Sequence, residues 1–350
     1  CKMKRENFMS VSISAWMYED DLLKARDLER LNDYESLSEV LNSLSDSSYG
    51  SYIGDLARDE EYEEILNKEL GRVYEKVSDV TPDNNISQYL IEKYNFHNLK
   101  LLVKEIIQDE DYRKIYSPMA NVDTDYVKRE LLRTTEEGID FNLFGEEEKP
   151  EDERDLYLSY AEKALKAYED SENPAMIDIS LDKSYYERKL ALADATEIES
   201  LIAYTKEAID LINIKTLLRI RGQKLDLDYL KNSLIDGGNL DKDEVLDLFG
   251  KDVEEIIIKT ASLDINKYLT ASLDKDKDDK ENLLDLEKAI DDHFMDFAKS
   301  AKSMTYGPEV LLGYLIAKEQ EIKNLRIIFI SKLNSLPKDF TRERLREAYV

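Results

Sequence analysis

The side chains best placed by type and spacing to do chemistry are carboxylates. Asp274, Asp276 and Asp278 alternate as the first oxygen ligands of a calcium loop do. The sixth position of such a loop needs Gly for its sharp turn and here holds Asp279; the twelfth needs a bidentate Glu and holds Asp285. Calcium is not expected there. The two histidines, His97 and His293, have no second His or Cys at ligand spacing, so neither a zinc site nor a nucleophilic triad assembles. No G-x-x-x-x-G-K-[ST] or G-x-G-x-x-G segment exists to cradle a phosphate.

Two further acidic stretches come closer to a pattern. "DDHFMD" (291–296) resembles the Asp-Asp-x-x-Asp metal motif of all-helical isoprenoid synthases, and "NDYESLSE" (32–39) resembles their second motif. Both fail on spacing. The last Asp of the first arrives one residue late, at Asp296. In the second, Val40 stands where Glu is required, and Glu39 is rotated away by about 100° on a helix. Their order along the chain is also reversed. The sequence therefore nominates no catalytic, cofactor-binding or metal-binding residue, and no cofactor.

The elements that would position any site are helices. Of 350 residues only 11 are Gly and 6 Pro, whereas Leu, Ile, Glu, Lys, Asp and Tyr recur, which is a composition for helices rather than for many turns. An all-α fold is expected. The net charge of −28 repels nucleic-acid phosphates and anionic headgroups, so neither nucleic acid nor a bare bilayer is an expected partner. The longest uncharged stretch, Asn7 to Tyr18, is 12 residues with three serines, short of the ~20 apolar residues of a membrane span. The sole cysteine, Cys1, permits no intrachain disulfide, which fits a reducing compartment.

Helical periodicity runs through 86–107, 181–219, 283–301 and 310–333, with Pro308 suited to a first turn after Gly307. Ile86, Leu90, Tyr94, Leu101 and Leu102 read as one stripe of the first. The breaks are "SPMANVDTD" (117–125), with Asp or Thr available as a cap, and "IDGGNLDKDE" (235–244), a turn and a helix start. "GEEEKPEDERD" (145–155) reads as a solvated loop and "LDKDKDDKEN" (273–282) as a second polar loop.

One short pattern recurs. "NFHNLKLLVK" (95–104), "LINIKTLLR" (211–219) and "IKNLRIIFI" (322–330) align on Asn98, Asn213 and Asn324, which lie 115 and 111 positions apart. Apolar Phe96, Leu211 and Ile322 precede the Asn by two, and Leu99, Ile214 and Leu325 follow it. Lys100, Lys215 and Arg326 come next, then the apolar pairs 102–103, 217–218 and 328–329. Polar Asn95, Asp210 and Glu321 stand three before. The period is too long for a solenoid unit and implies three copies of a small helical domain, at 1–124, 125–239 and 240–350, each boundary within about fifteen residues. In each copy the segment reads as a buried helix whose Asn anchors a neighbouring backbone group.

The C-terminal stretch carries a resemblance. Gly-Pro at 307–308, Glu-x-x-Asn-Leu-Arg at 321–326, Leu-Pro at 336–337, the Arg-rich 342–346 and the final Tyr349-Val350 resemble the end of the central-stalk socket subunit of V/A-type rotary ATPases. In bacteria and archaea this part is the C subunit, and in eukaryotes the d subunit. "LSEVLNSLSDSSYGSYI" (37–53), with Tyr49-Gly50, and the two internal Asn segments agree in order and spacing. The chain departs from the family around Ala15–Glu19, where "AWMYE" replaces the usual arginines, and 145–155 has no counterpart.

The resemblance implies a funnel of three similar helical domains with pseudo-threefold symmetry. It further implies a non-catalytic rotor part on the cytoplasmic face, peripheral to the membrane, whose partners are the central shaft subunits and the proteolipid ring. Its role would be to couple ATP hydrolysis or synthesis to ion transport. A helical scaffold or adaptor without a rotary role, and a magnesium-dependent all-α enzyme, are the competing readings.

Overall fold

A computed structural model describes residues 5–55, 58, 61–81, 84–136 and 152–350, and the statements that follow concern these. Cys1 and the acidic residues 145–151 lie outside them. The fold is all-α: seventeen α-helices and no strand among the described residues. In chain order they are α1 (Met9–Glu19), α2 (Ala25–Asp33), α3 (Leu37–Ser43), α4 (Gly50–Ile53), α5 (Tyr62–Val80), α6 (Asn84–Gln108), α7 (Thr124–Glu136) and α8 (Glu153–Ser171). They continue with α9 (Ala175–Thr196), α10 (Glu199–Gly222), α11 (Leu227–Ser233), α12 (Lys242–Asp247), α13 (Val253–Lys259), α14 (Asn266–Ser272), α15 (Asp279–Lys302), α16 (Pro308–Leu333) and α17 (Lys338–Arg344).

Local chemistry sets many of these starts. Ser36 caps α3 through the Glu39 N–H while the Glu39 carboxylate takes the Ser36 N–H, a reciprocal capping box. Asp226 and Asp252 cap α11 and α13, and Asp123 accepts the Tyr126 N–H at the start of α7. Aspartates also correct two expectations. The stretch 145–155 is not loop throughout, because Asp152 accepts the N–H groups of Arg154 and Asp155 and α8 begins at Glu153. Likewise 273–282 is loop only to Asp278, which caps α15 with Glu281 reciprocating. Asp152, Glu153 and Asp155 of the one run, and Asp278, Asp279 and Glu281 of the other, stand at a helix start, where carboxylates favour the positive end of the helix dipole.

The chain divides into two compact units. The first comprises residues 1–87, 196–204 and 251–350. Its axis is α16, against which α1, α2, α3, α5, α15 and α17 all pack. Surrounded in this way, α16 is buried on nearly every face, including the charged Glu309, Lys318, Glu321 and Lys332. The second unit comprises 88–195 and 205–250. One of its cores joins Phe96, Leu99, Leu102 and Val103 of α6 to Val127 and Leu131 of α7, aromatic and alanine residues of α8, and Ile177 and Leu181 of α9. Each such aliphatic or aromatic side chain, fully buried, contributes about 1.5–3 kcal/mol. Within α6 the stripe is broader than expected: Tyr94 and Leu101 are only half-buried, whereas polar Glu92 and Asn95 are fully buried.

Candidate functional site

The three aligned asparagines make the same contact. Asn98 Nδ2 donates to the Ser117 carbonyl at 3.1 Å while its Oδ1 accepts the Ser117 N–H at 2.7 Å. Asn213 does this to Ile235, at 2.8 and 2.9 Å. Asn324 does it to Arg346, at 3.0 and 2.7 Å. A carboxamide presents a donor and an acceptor in the same plane and so pairs with one peptide unit edge-on. All three amides are buried, where an unpaired polar group costs ~1–3 kcal/mol. The expected anchoring of a neighbouring backbone group thus holds at each position. The flanking apolar residues at 96, 99, 102 and 103, and their counterparts in the other two segments, are buried as the pattern requires.

One turn earlier a second polar side chain catches backbone further on. Asn95 Oδ1 accepts the N–H groups of Asn121 (2.8 Å) and Val122 (3.1 Å), and Asp210 Oδ1 accepts that of Leu240 (2.9 Å). Glu321 Oε2 accepts that of Leu23 (2.5 Å). In every case a helix starts two residues after the last residue captured (Val122, Leu240 and Leu23): α7 at Thr124, α12 at Lys242 and α2 at Ala25. The third capture differs in one respect, since the segment held by α16 comes from the other end of the chain. The Ala25 N–H completes the join by donating to the Val350 carbonyl at 2.8 Å, and the Tyr349 hydroxyl donates to Glu19 at 2.7 Å.

Glu321 is also the hub of a buried charge cluster. Its Oε1 accepts the Tyr49 hydroxyl at 2.5 Å and lies 2.8 Å from Lys318 Nζ. Lys318, with no exposed side-chain surface, contacts Glu69 Oε1 at 2.8 Å and sits 4.7 Å above the Tyr49 ring centroid. Glu69 in turn receives a two-pronged bond from Arg72, at 2.8 and 2.7 Å. Two cations and two carboxylates therefore balance. Burial alone would depress the Lys318 ammonium, but Glu321 and Glu69 hold it above its ordinary value. Burial would raise the Glu69 carboxyl, and its bonds to Arg72 and Lys318 reverse this. Burial, then the neighbouring Glu321 carboxylate, pushes the Tyr49 phenol well up.

The second unit holds a related cluster, centred six residues before Asn98. Glu92, fully buried, accepts the Tyr157 hydroxyl (2.9 Å), Gln88 Nε2 (3.1 Å) and Arg188 Nε (3.2 Å), and Arg188 also reaches Glu153 at 2.9 Å. Here desolvation outweighs these partners and the Glu92 carboxyl is raised. Arg188 is itself held up by Glu92 once its own burial is overcome, but its side chain is 17% exposed. Burial of the carboxylate is the stronger effect.

The basic residue of the recurring pattern makes a contact that the sequence did not disclose. Lys100 Nζ pairs with Asp182 at 2.6 Å, and Arg326 grips Glu63 with two bonds at 2.7 and 3.0 Å. The acidic near-motifs are engaged by the chain's own groups. Asp291 pairs with Lys323 and Arg346, and Asp296 accepts the Tyr268 hydroxyl at 2.6 Å. Asn32 Nδ2 donates to the Lys338 carbonyl, while Ser36 and Glu39 form the cap of α3. Asp274 accepts the Asp276 N–H, and Asp278 is a helix cap. His97 is exposed and His293 stacks among Tyr204, Tyr268 and Phe294. Among the described residues, no group of three or more His, Cys, Asp or Glu is arranged to hold a metal ion, and no helix is long and apolar enough to cross a membrane.

These contacts give a physical reason for each letter of the Glu-x-x-Asn-Leu-Arg motif, and comparison with known proteins places the motif in a family. The chain is similar to the C subunit of the V-type sodium ATPase of Enterococcus hirae, at 25% identity over 94% of this chain and 97% of that one. It is similar to the C subunit of the A-type ATP synthase of Methanocaldococcus jannaschii, at 21% identity over 96% of this chain and 88% of that one. A third relative, the corresponding A-type ATP synthase protein of Methanosphaera stadtmanae, is 24% identical over 93% and 84%. The model of the ATP synthase (C/AC39) subunit family matches residues 16–344, and the chain belongs to that family.

Proposed function

We propose that this chain is a non-catalytic rotor subunit of a V/A-type ATPase or ATP synthase. It seats the central shaft on the membrane proteolipid ring and so couples ATP hydrolysis or synthesis to ion transport, from a peripheral position on the cytoplasmic side. The observation that carries this reading is the family match over nearly the whole chain, with full-length relatives named as the C subunits of such complexes. The interior supports it: the buried ionisable groups described above face one another and the backbone. Buried charges matched in this way hold helices in fixed relative positions, which a torque-bearing part needs.

We further propose that the body consists of three copies of one helical unit, close to 1–124, 125–239 and 240–350, with the third copy completed by the segment that begins at Leu22. The repeated brackets support this, as do two matching starts. In α2 the Asp27 carboxylate accepts the Lys24 N–H and Leu28 and Leu31 are buried; in α12 Glu244 accepts the Asp241 N–H and Val245 and Leu248 are buried.

The test is reconstitution. Shaft subunits and proteolipid ring are purified from the same source, and ATP-driven ion pumping by the assembled complex is compared with and without this chain. Pumping that depends on the chain is the expected result. Equal coupling in its absence defeats the reading.

A further inference from the structure

The third bracket is built differently from the other two. Ser117, gripped by Asn98, and Val122, captured by Asn95, lie five positions apart on one continuous stretch, and so do Ile235 and Leu240. Arg346, gripped by Asn324, and Leu23, captured by Glu321, belong to stretches far apart in sequence. Where the other two brackets are closed by a short run of peptide, this one is closed by contacts. The Ala25 N–H donates to the Val350 carbonyl, and the Tyr349 hydroxyl donates to Glu19.

What holds the stretch 338–350 in place is mostly ionic. Of its apolar side chains only Tyr349 is buried. Lys338 reaches the Asp33 carbonyl (2.6 Å) and the Glu35 carboxylate, Arg342 reaches Glu29 (3.1 Å) and Asp33 (3.5 Å), and Glu347 pairs with Lys299. The Arg342, Glu29 and Asp33 side chains are 43%, 50% and 64% exposed, so added salt screens their attraction. The Arg346–Asp291 pair, 16% and 15% exposed, is the sheltered one. Charge draws the stretch in: it carries Lys338, Arg342, Arg344 and Arg346 against Asp339, Glu343 and Glu347, in a chain of net charge −28. The interior of the joint adds little to this. Asn32 Oδ1 and Gln320 Nε2 are buried without a hydrogen-bond partner among the described residues. Gln320 lines a small cavity there with Leu23, Leu28, Ala348 and Tyr349. A segment with few buried apolar contacts and many solvent-exposed polar ones opens at lower cost than the core beneath it. We propose that 338–350 is an electrostatic latch: it and the stretch 19–28 close the third bracket together, and rising ionic strength releases them together while the other two brackets stay closed.

The experiment is amide hydrogen exchange of the full chain, read by mass spectrometry, in about 0.1 M and about 1 M potassium chloride, between which the screening length falls from about 10 to about 3 Å. Protection over 338–350 and over 19–28 should fall together at the higher salt, by at least about threefold relative to 117–122 and 235–240. Lys338→Gln/Arg342→Gln, checked for unchanged helicity, should show this loss already at the lower salt and respond less to more. Lys338→Arg, which keeps the charge, should behave as wild type. Salt-independent protection in wild type overturns the proposal, and so does an equal loss at all three brackets. Loss over 338–350 with 19–28 unchanged also overturns it, because the stretch then frays alone and latches nothing.

Discussion

Asn324 holds Arg346 by both edges of its amide, donating to the carbonyl and accepting from the N–H of the same residue. The bracket ties α16 to the segment that follows α17, and only a planar amide on a short side chain can make it in this space. The same grip at Asn98–Ser117 and Asn213–Ile235 explains why the position is Asn in all three segments rather than Asp, which lacks the donor half of the pair.

Replacing Asn324 therefore has a defined cost. Asn324→Leu removes both bonds and leaves the Arg346 N–H and carbonyl without their partner, a loss of about 2–4 kcal/mol. Asn324→Asp keeps the acceptor but sets a carboxylate oxygen against the Arg346 carbonyl, so it is no milder. Urea unfolding gives the stability change, and amide exchange over 338–350 should accelerate more than exchange over 253–272. Uniform acceleration across the first unit would mean that the bracket has no local role.

A second prediction concerns the charge cluster. Lys318→Met removes one cation and leaves Glu69 and Glu321 with fewer donors in a site closed to water. Removing one partner of a buried pair typically costs ~3–5 kcal/mol. Arg72 on Glu69, and Tyr49 and Leu23 on Glu321, compensate in part, so about 3 kcal/mol is expected. The double variant Lys318→Met/Glu321→Gln should be less unstable than the sum of the two singles, because the second change removes the charge stranded by the first. Strict additivity in denaturant titrations would contradict a coupled cluster.

The contrast between Asn324 and Lys318 shows what a linear sequence discloses. An Asn set between apolar residues must satisfy its amide somewhere, so the anchor is legible three times over. Its partner is not, because Ser117, Ile235 and Arg346 contribute backbone and share no side-chain signal. Lys318, Glu69 and Glu321 look like surface residues of a highly charged chain. Lys318 and Glu321 are interior because α16 is packed on nearly every side, and Glu69 because the α5 face that carries it packs against α16, so even a helix read as buried does not show which of its charged residues are inside. The Glu321–Leu23 bond joins residues 298 apart and leaves no local trace. Asp152 and Asp278 are ambiguous for a different reason: an Asp-rich run suits both a solvated loop and a helix first turn.

Glu92 supplies a pH prediction. Its folded carboxyl is raised, by burial, above its value in the unfolded chain. The sign follows from linkage. At low pH the group is protonated in both states and the shift has no effect; as pH rises past the unfolded value and then through the folded one, ionisation is harder in the fold and stability is lost. Glu92→Gln keeps an acceptor for Tyr157 and leaves Arg188 its bond to Glu153. The stability of Glu92→Gln relative to wild type should therefore increase from about pH 4 to neutral pH. Chemical denaturation at both pH values reads this directly. A relative stability that falls over the same range would show that attraction to Arg188 outweighs burial.

Gly50 carries the last prediction, and it tests why Tyr49-Gly50 belongs together. A Cβ on residue 50 would lie 1.9 Å from the Ser45 carbonyl oxygen and 2.7 Å from its carbon, inside any tolerable contact. The obstacle is backbone, so no side chain can swing aside, and Gly50→Ala must push α4 away from the turn that follows α3. Tyr49, fully buried with its hydroxyl on Glu321, is the neighbour that would move. The loss combines steric strain with a weakened Tyr49–Glu321 bond, and about 3 kcal/mol or more is expected. Gly54, with nothing within 4 Å of its Cβ position, is the internal control, and Gly54→Ala should leave the melting temperature within a degree or two. If the two alanine variants melt together, the close approach at Ser45 does not constrain residue 50, and the pairing of Tyr49 with glycine needs another cause.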